Sequence, residues 1–261
     1  MRDVVAEFRG DLLEAVSSAV GEDPFARADE ATRFAQPAIF CASLAHWDAK
    51  GRPTADLLAG HSLGELAALV VAESLNERQA LELVVLRGAL MQEAGEQAGE
   101  GGMVALMGRG AADHGAELAH AHGLSLANDN SPQQVVLSGA RASLPAAVAA
   151  AEELGLRAMT LPVTGAFHSE MMRQAVPRFT EALERAQVEQ PAMTVLSAVT
   201  AAPFDDVRLR LAQALTMPVR WRETMLAMHE LGAERFIEIG PGRVLTGLAK
   251  RTLQGVELVS G

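Results

Sequence analysis

The sequence predicts an α/β protein, a larger α/β body interrupted by a smaller unit of its own. Three observations carry this. An apolar run at residues 55–59 feeds a glycine-flanked turn and then an Ala/Leu/Val-rich helix. Residues 101–165 follow the order β-α-β-β-α-β, after which helix and strand patterns of the first kind resume. The 261 residues, 49% of them hydrophobic, suffice for one large domain, or one domain carrying an inserted smaller one.

The elements follow in order. Val4, Val5, Phe8, Leu12, Leu13, Val16 and Val20 lie at helical spacing, so residues 4–20 predict one amphipathic helix. Gln36-Pro37 opens a second, with proline in its first turn, running to about Trp47. Gly51-Arg52-Pro53 breaks it before a short buried strand at 55–59 and a helix over 65–75. Asn76 caps a longer helix, 77–97.

Gly99-Glu100-Gly101-Gly102 marks a boundary. Beyond it come a strand at 103–107 and a helix at 111–121, then strands at 124–127 and 135–138 around a polar turn, 128–132. A helix at 142–154 and a strand at 157–163 complete the split βαβ order of a ferredoxin-like unit. Afterwards the sequence predicts a helix at 171–186, a strand at 193–199 and a helix at 222–231. A strand at 234–239, closed by Gly240-Pro241-Gly242, precedes a last helix at 244–253. The body is thus residues 1–100 and 166–261, and the inserted unit is 101–165.

Composition narrows the function. A net charge of −11 disfavours nucleic-acid binding, which needs a basic face. No apolar stretch approaches the roughly 20 residues of a membrane span. The N-terminus shows no signal-peptide core, so a cytoplasmic protein is expected. The single cysteine, Cys41, lies in an apolar helix and reads as a buried structural thiol. No metal-ligand spacing and no phosphate-loop motif occurs. Gly240-Pro241-Gly242-Arg243-Val244-Leu245 lacks the third glycine of a dinucleotide fingerprint and reads as a strand-to-helix turn.

The chemistry begins at Gly60-His61-Ser62-Leu63-Gly64. Between a strand and a helix, Gly-x-Ser-x-Gly reads as a nucleophile elbow, with Ser62 held in a strained turn. Gly60 and Gly64 are both expected to be small so that the backbone can double back. The Leu63 N–H, at the helix N-terminus, points where an oxyanion would form.

A serine nucleophile needs a base, and seven histidines compete. His114, His120 and His122 read as a solvated face, His46 and His229 as helix-end residues. The position of His61 along the strand aims it away from the serine. His168 lies in the loop 163–169, where the chain returns from the inserted unit, and it reads as the base; the bland alternative is a neighbour of a helix cap. No orienting acid is evident. Asp129 has the right place in chain order, but the polar turn around it favours aspartate for local reasons. Arg87 falls at the edge of an apolar helical stripe and must be paired there, either in an internal salt bridge or with a substrate carboxylate.

With these residues in place, the chain resembles the malonyl-CoA:acyl carrier protein transacylases and the acyltransferase domains of polyketide synthases. The ordered blocks are Gln36-Pro37-Ala38, Gly60 to Glu65, Arg87-Gly88 with Met91-Gln92-Glu93-Ala94, and Gly101-Gly102-Met103. They continue through Asn128 to Pro132, Gln134 to Gly139 and Ala166-Phe167-His168-Ser169, and end at Pro218-Val219-Arg220-Trp221 and Gly240 to Leu245. The resemblance implies an α/β-hydrolase-like domain with a ferredoxin-like insertion. It implies Ser62 as nucleophile, His168 as base and Arg87 as holder of the malonyl carboxylate. Leu63, His61 and Asn130 join the substrate-binding residues, and Phe167 resembles the malonyl-selective form, its ring filling the space of a 2-methyl branch. Main-chain carbonyls would orient the histidine, one of them at Ala214. No metal or redox cofactor is implied; malonyl-CoA is the substrate, and the partner is an acyl carrier protein bearing phosphopantetheine, met by a monomer.

The family opens with a strand and a Gly-Gln-Gly-x-Gln loop that supplies a second oxyanion donor. The sequence begins at the following helix, which implies reduced activity, since one donor is worth about 10²–10³ in rate. Carrier proteins are acidic, as this chain is, so a basic patch at Arg173, Arg220, Arg222 and Arg243 is expected. Two other functions stand beside transfer: a serine esterase or thioesterase using water, and a catalytically impaired carrier-binding paralogue. Fatty acid and polyketide biosynthesis are both open.

Overall fold

Charge interrupts the first apolar stripe. The computed structural model describes residues 1–260 and has two helices where residues 4–20 predict one, Arg2–Phe8 and Gly10–Val20. The break is Arg9, at φ −144° and ψ 57°. Its guanidinium meets Asp11, Asp48 and Glu77, so one side chain ties three segments together. Val5, Leu12 and Val16 still face the core.

The helix containing Pro37 starts a turn earlier than its sequence signal, at Thr32, and runs to Ala49 with the proline inside. It lies against the helix Glu77–Gln97, whose Asn76 cap accepts the Arg78 N–H at 3.0 Å. Gly88 makes the crossing close. A Cβ there would sit 3.0 Å from the Arg33 Cα, so a larger residue would push the helices apart.

The strands are β1 (Leu57–Ala59), β2 (Gly101–Met107), β3 (Ser125–Ser131), β4 (Gln134–Ala140), β5 (Arg157–Thr160), β6 (Thr194–Ser197), β7 (Ala202–Pro203), β8 (Arg235–Ile237) and β9 (Glu257–Val259). Among the described residues they form three sheets, ordered β1-β6-β7, β3-β4-β2-β5 and β8-β9. Strand β1 runs parallel to β6 and is half-buried, where the sequence predicts full burial. The short strands β7 and β9, and the helix Val207–Gln213 capped by Asp206, carry too little periodicity to be legible in the sequence.

The four-stranded sheet is antiparallel throughout, and its β2 alternates sides with period two. Val104 and Leu106 face the helices Ala111–Ala121 and Leu144–Glu153, in a cluster with Leu118, Leu137 and Ala147. Met103 and Ala105 face the other way, with Ala127 and Val136, onto Val163 and Phe167. That second face rests on the segment carrying His168.

The polar turn expected at 128–132 is strand. Residues Asn128 to Ser131 belong to β3, with two register shifts. Their polarity is satisfied across the molecule: the Asp129 N–H donates to the Val219 carbonyl at 2.9 Å, and the Val219 N–H to the Ala127 carbonyl at 2.8 Å. The sequence signal for a turn was a signal for docking. The expected helix at 171–186 divides for a local reason, into a 3₁₀ segment Glu170–Ala175 and the helix Val176–Arg185, with Pro177 in its first turn.

Candidate active site

The elbow is built by one glycine. A Cβ on Gly60 would lie 1.9 Å from the Gly64 carbonyl carbon and 2.0 Å from the Glu65 nitrogen, so only glycine lets the strand end touch the helix start. Gly64 does not share the role expected of it; a Cβ there meets nothing within 4 Å, because its outer side is open. Ser62 sits at φ +53°, the left-handed region that costs a serine about 1–3 kcal/mol. The helix Gly64–Val71 starts directly afterwards. Among the described residues the Leu63 N–H donates to no acceptor, and it stands at that helix's N-terminus.

His168 is also left-handed, at φ +57°. Its loop is held by Ser169, whose hydroxyl donates to the Ala166 carbonyl at 2.6 Å and accepts the Met171 N–H at 3.3 Å. Gly165 leaves room for the neighbouring ring, since a Cβ there would fall 2.6 Å from Phe167 Cε1. The His168 Nδ1 lies 3.2 Å from the Met217 carbonyl and Nε2 lies 2.9 Å from Ser62 Oγ. A carbonyl only accepts, so Nδ1 carries the proton and Nε2 presents its lone pair to the serine hydroxyl.

Burial is the main force on this imidazole, and it pushes the pKa down to about 3, with Arg87 adding to the push. The carbonyls of Ala214 and Met217 pull the other way. Among the described residues no carboxylate takes part. Asp129 is committed elsewhere, in a forked pair with Arg222 at 2.7–3.1 Å.

Arg87 is 3% exposed and joins no ion pair among the described residues. Its Nη1 donates to Gln36 Oε1 at 2.6 Å and its Nη2 to Ser62 Oγ at 3.1 Å. The internal salt bridge weighed from sequence is therefore not formed. Gln36 is itself anchored, donating to Thr32 Oγ1 at 2.9 Å and Met91 Sδ at 3.3 Å. Burial lowers the Arg87 pKa to about 10, opposed only by the charge of Glu65. Neither Gln36 nor Glu65 has a role legible in the sequence, because a buried polar side chain at helical spacing has no signature of its own.

His61 turns from the serine and lies 2.8 Å from Asn130 Oδ1, while Asn130 Nδ2 donates to Gln134 Oε1 at 3.1 Å. That orientation makes His61 Nε2 the donor. Trp221 meets the His61 ring edge-on at 5.5 Å between centroids. Ser62, His168, Arg87, Leu63, His61 and Asn130 thus come together, while Phe167 packs against two apolar clusters. The remaining histidines do not join them, and His229 Nδ1 caps its helix end at the Ala233 carbonyl.

The expected basic patch is largely neutralised. Arg173 pairs with Glu170, Arg220 with Glu223 and Arg222 with Asp129, which leaves Arg243. Two other arginines free of ion pairs among the described residues, Arg157 and Arg251, line a cleft of about 270 Å³ with Gln133, Gln134 and Gly108. Gln134 is the end of the chain of contacts that starts at His61. Among the described residues no group of three or more His, Cys, Asp or Glu side chains could hold a metal ion, and no helix is long and apolar enough to cross a membrane.

Residues 14–260 match the model of the acyl transferase domain. The malonyl CoA-acyl carrier protein transacylase of Synechocystis sp. is 41% identical over 207 residues, 78% of this chain and 68% of that protein. The polyketide biosynthesis protein ThaF of Burkholderia thailandensis is 38% identical over 232 residues, 85% of this chain but only 20% of that much longer protein. Among solved structures, a type II PKS acyl-carrier protein in complex with its malonyl-transacylase (PlMCAT:AntF) superposes with a TM-score of 0.88 at 33% identity, over 100% of this chain and 90% of that one.

Proposed function

The chain belongs to the acyl transferase domain family, and on that premise we propose that it moves a malonyl group from malonyl-CoA to the phosphopantetheine thiol of an acyl carrier protein, through a malonyl-Ser62 ester. The observation that carries this is Arg87: a buried guanidinium, unpaired with any carboxylate among the described residues, 3.1 Å from the serine oxygen. An acyl group that brings its own carboxylate satisfies that charge, and an acetyl group does not.

The steps follow from the hydrogen bonds. His168 Nε2 takes the Ser62 hydroxyl proton as Oγ attacks the thioester carbonyl, and the oxygen of that carbonyl gains its charge beside the Leu63 N–H. The tetrahedral species collapses, the proton passes from His168 to the sulfur, and coenzyme A leaves as thiol. The carrier's thiol then gives its proton to His168 and attacks the ester, and Ser62 recovers its hydroxyl proton as it leaves. Arg87 is one of the charges that depress the basicity of His168. A carboxylate on Arg87 cancels that charge, so the right substrate strengthens its own base.

The organisation into a body of residues 1–100 and 166–261 and a unit of residues 101–165 is supported by the separate apolar clusters. The strand order β3-β4-β2-β5 supports a ferredoxin-like unit, and the strand–elbow–helix supports an α/β-hydrolase-like body. Phe167 sits where the two parts meet, packed against both clusters it touches, as a ring that limits the acyl pocket would. Arg157 and Arg251 offer unpaired cations to the phosphates of coenzyme A or of the carrier arm, and so answer the acidity of both proteins.

Intact mass tests the reading. Malonyl-CoA should add one malonyl group to the protein and none to Ser62→Ala, and a holo carrier protein should remove it. Release of free malonate at the same rate without a carrier would make the protein a hydrolase.

A further inference from the structure

Glu65 is the second residue of the elbow helix and is 1% exposed. An acid in a first helical turn is ordinarily explained by the helix dipole, but that needs no burial. This side chain reaches across to the neighbouring strand. The β1–β6 ladder ends with the pair Ala59–Leu196, where Gly60 turns the chain into the elbow. Past that pair β6 has no strand on this side, and Glu65 Oε1 supplies the acceptor instead. It takes the Ala198 N–H at 2.7 Å and the Ser197 hydroxyl at 3.2 Å. On its own side Glu65 is fixed to the nucleophile, since its backbone N–H donates to the Ser62 carbonyl at 3.1 Å. Ala198 then leads to the base. Its carbonyl accepts the Arg220 N–H at 2.8 Å, at the end of a segment, residues 217–220, that is neither helix nor paired strand. At the start of that segment the Met217 carbonyl holds His168 Nδ1 at 3.2 Å. A path from Ser62 through Glu65, Ala198 and residues 217–220 thus reaches His168, and the 2.9 Å contact between Nε2 and Ser62 Oγ closes it into a ring.

We propose that Glu65 is a positioning residue, which sets the distance between the serine and its base by fastening the elbow helix to the end of β6. It touches neither the substrate nor the reacting atoms. The proposal rests on Ser62 as nucleophile and His168 as base. What the brace requires is an acceptor oxygen at the right reach; negative charge is not required, because both donors, an amide and a hydroxyl, are neutral. Without that oxygen the Ala198 N–H is buried and unpartnered, and helix and strand are free to separate. A displacement of about 1 Å between reacting groups costs about 10² in rate.

Two substitutions separate reach from charge. Glu65→Gln keeps the reach and gives up the charge; Glu65→Asp keeps the charge and gives up a methylene of reach. The rates of Ser62 acylation by malonyl-CoA and of discharge to a holo carrier protein are read by intact mass, well below the Tm of each variant. Glu65→Gln should hold both rates near the parental values. Glu65→Asp should lose up to about 10² in both, by the same factor and with KM for malonyl-CoA unchanged, since serine and base serve both steps. In a His168→Ala background Glu65→Asp should cost little more, because no base is left to misplace. A Glu65→Gln protein that loses its rate, or a Glu65→Asp protein that keeps it, overturns the brace. So does a full penalty in the His168→Ala background, which would mark a general loosening of the fold. A parent protein that forms no malonyl-Ser62 overturns the proposed function, and this proposal with it.

Discussion

Replacing Gly60 with alanine separates the elbow's geometry from its sequence pattern. The added Cβ would lie 1.9 Å, 2.0 Å and 2.3 Å from three backbone atoms of Gly64 and Glu65. Ordinary carbon contacts are about 3.5–4.0 Å, so the overlap is about 1.5 Å against atoms that cannot rotate away. Relief requires the strand end and helix start to separate, which moves Ser62, the Leu63 N–H and Glu65 together. Overpacking of this kind costs typically 1–3 kcal/mol, and the rigid partners here put it at or above about 3 kcal/mol. For a chain of this size that is a fall in Tm of roughly 6–12 °C. Gly64→Ala meets open space and replaces a glycine in a helix, so it should be neutral or stabilise by up to about 1 kcal/mol. Thermal unfolding of the two variants beside the parent, with the rate of Ser62 acylation, is the assay. Equal losses in both, or a Gly60→Ala protein with parental Tm, would refute the geometry.

Other consequences follow from the same contacts. His168 must be neutral to act as base and its pKa is pushed down to about 3, so the acid limb of kcat/KM should lie below pH 5; a limb near 6.5 would show an ordinary, solvated histidine. The same shift should make stability fall as pH drops from about 6.5 toward 3, because the unfolded imidazole binds a proton that the folded one refuses. Gln36→Leu should leave Arg87 Nη1 without its acceptor and cost about 1–3 kcal/mol in unfolding experiments, with a raised KM for malonyl-CoA; an unchanged KM would show that Gln36 does not hold the guanidinium. Arg222→Ala should lower stability by about 1 kcal/mol, discounted for its exposed side, and leave the malonyl over acetyl preference intact. A changed preference would bring Asp129 back as a group of the reaction.

The sequence was most informative where a residue's neighbours in the chain decide its environment. The helices Glu77–Gln97 and Ala111–Ala121 were legible to the residue because an apolar stripe lies within each, and Asn76 caps the first. Ser62 was legible because strand, turn and helix are contiguous, and His168 because few other histidines sit on a loop of this kind. The misreadings share a cause. Asn128 to Ser131 look like a turn until Val219 and Arg222 satisfy them, and Arg9 breaks a helix for carboxylates as far away as residue 77. Glycine spacing did not reveal that Gly60 alone is required, since that depends on which way an absent Cβ would point. Arginines that look basic in sequence proved to be neutralised by carboxylates three residues away or across the fold.

On the proposed function, the buried guanidinium of Arg87 selects a carboxylated acyl group for Ser62. The most direct test of that selection is the ratio of malonyl to acetyl ester formed at Ser62 when both coenzyme A thioesters compete, read by intact mass for the parent protein and for Arg87→Ala. A strong malonyl excess in the parent that collapses toward parity in Arg87→Ala is the result predicted. A ratio that survives the loss of Arg87 would contradict it.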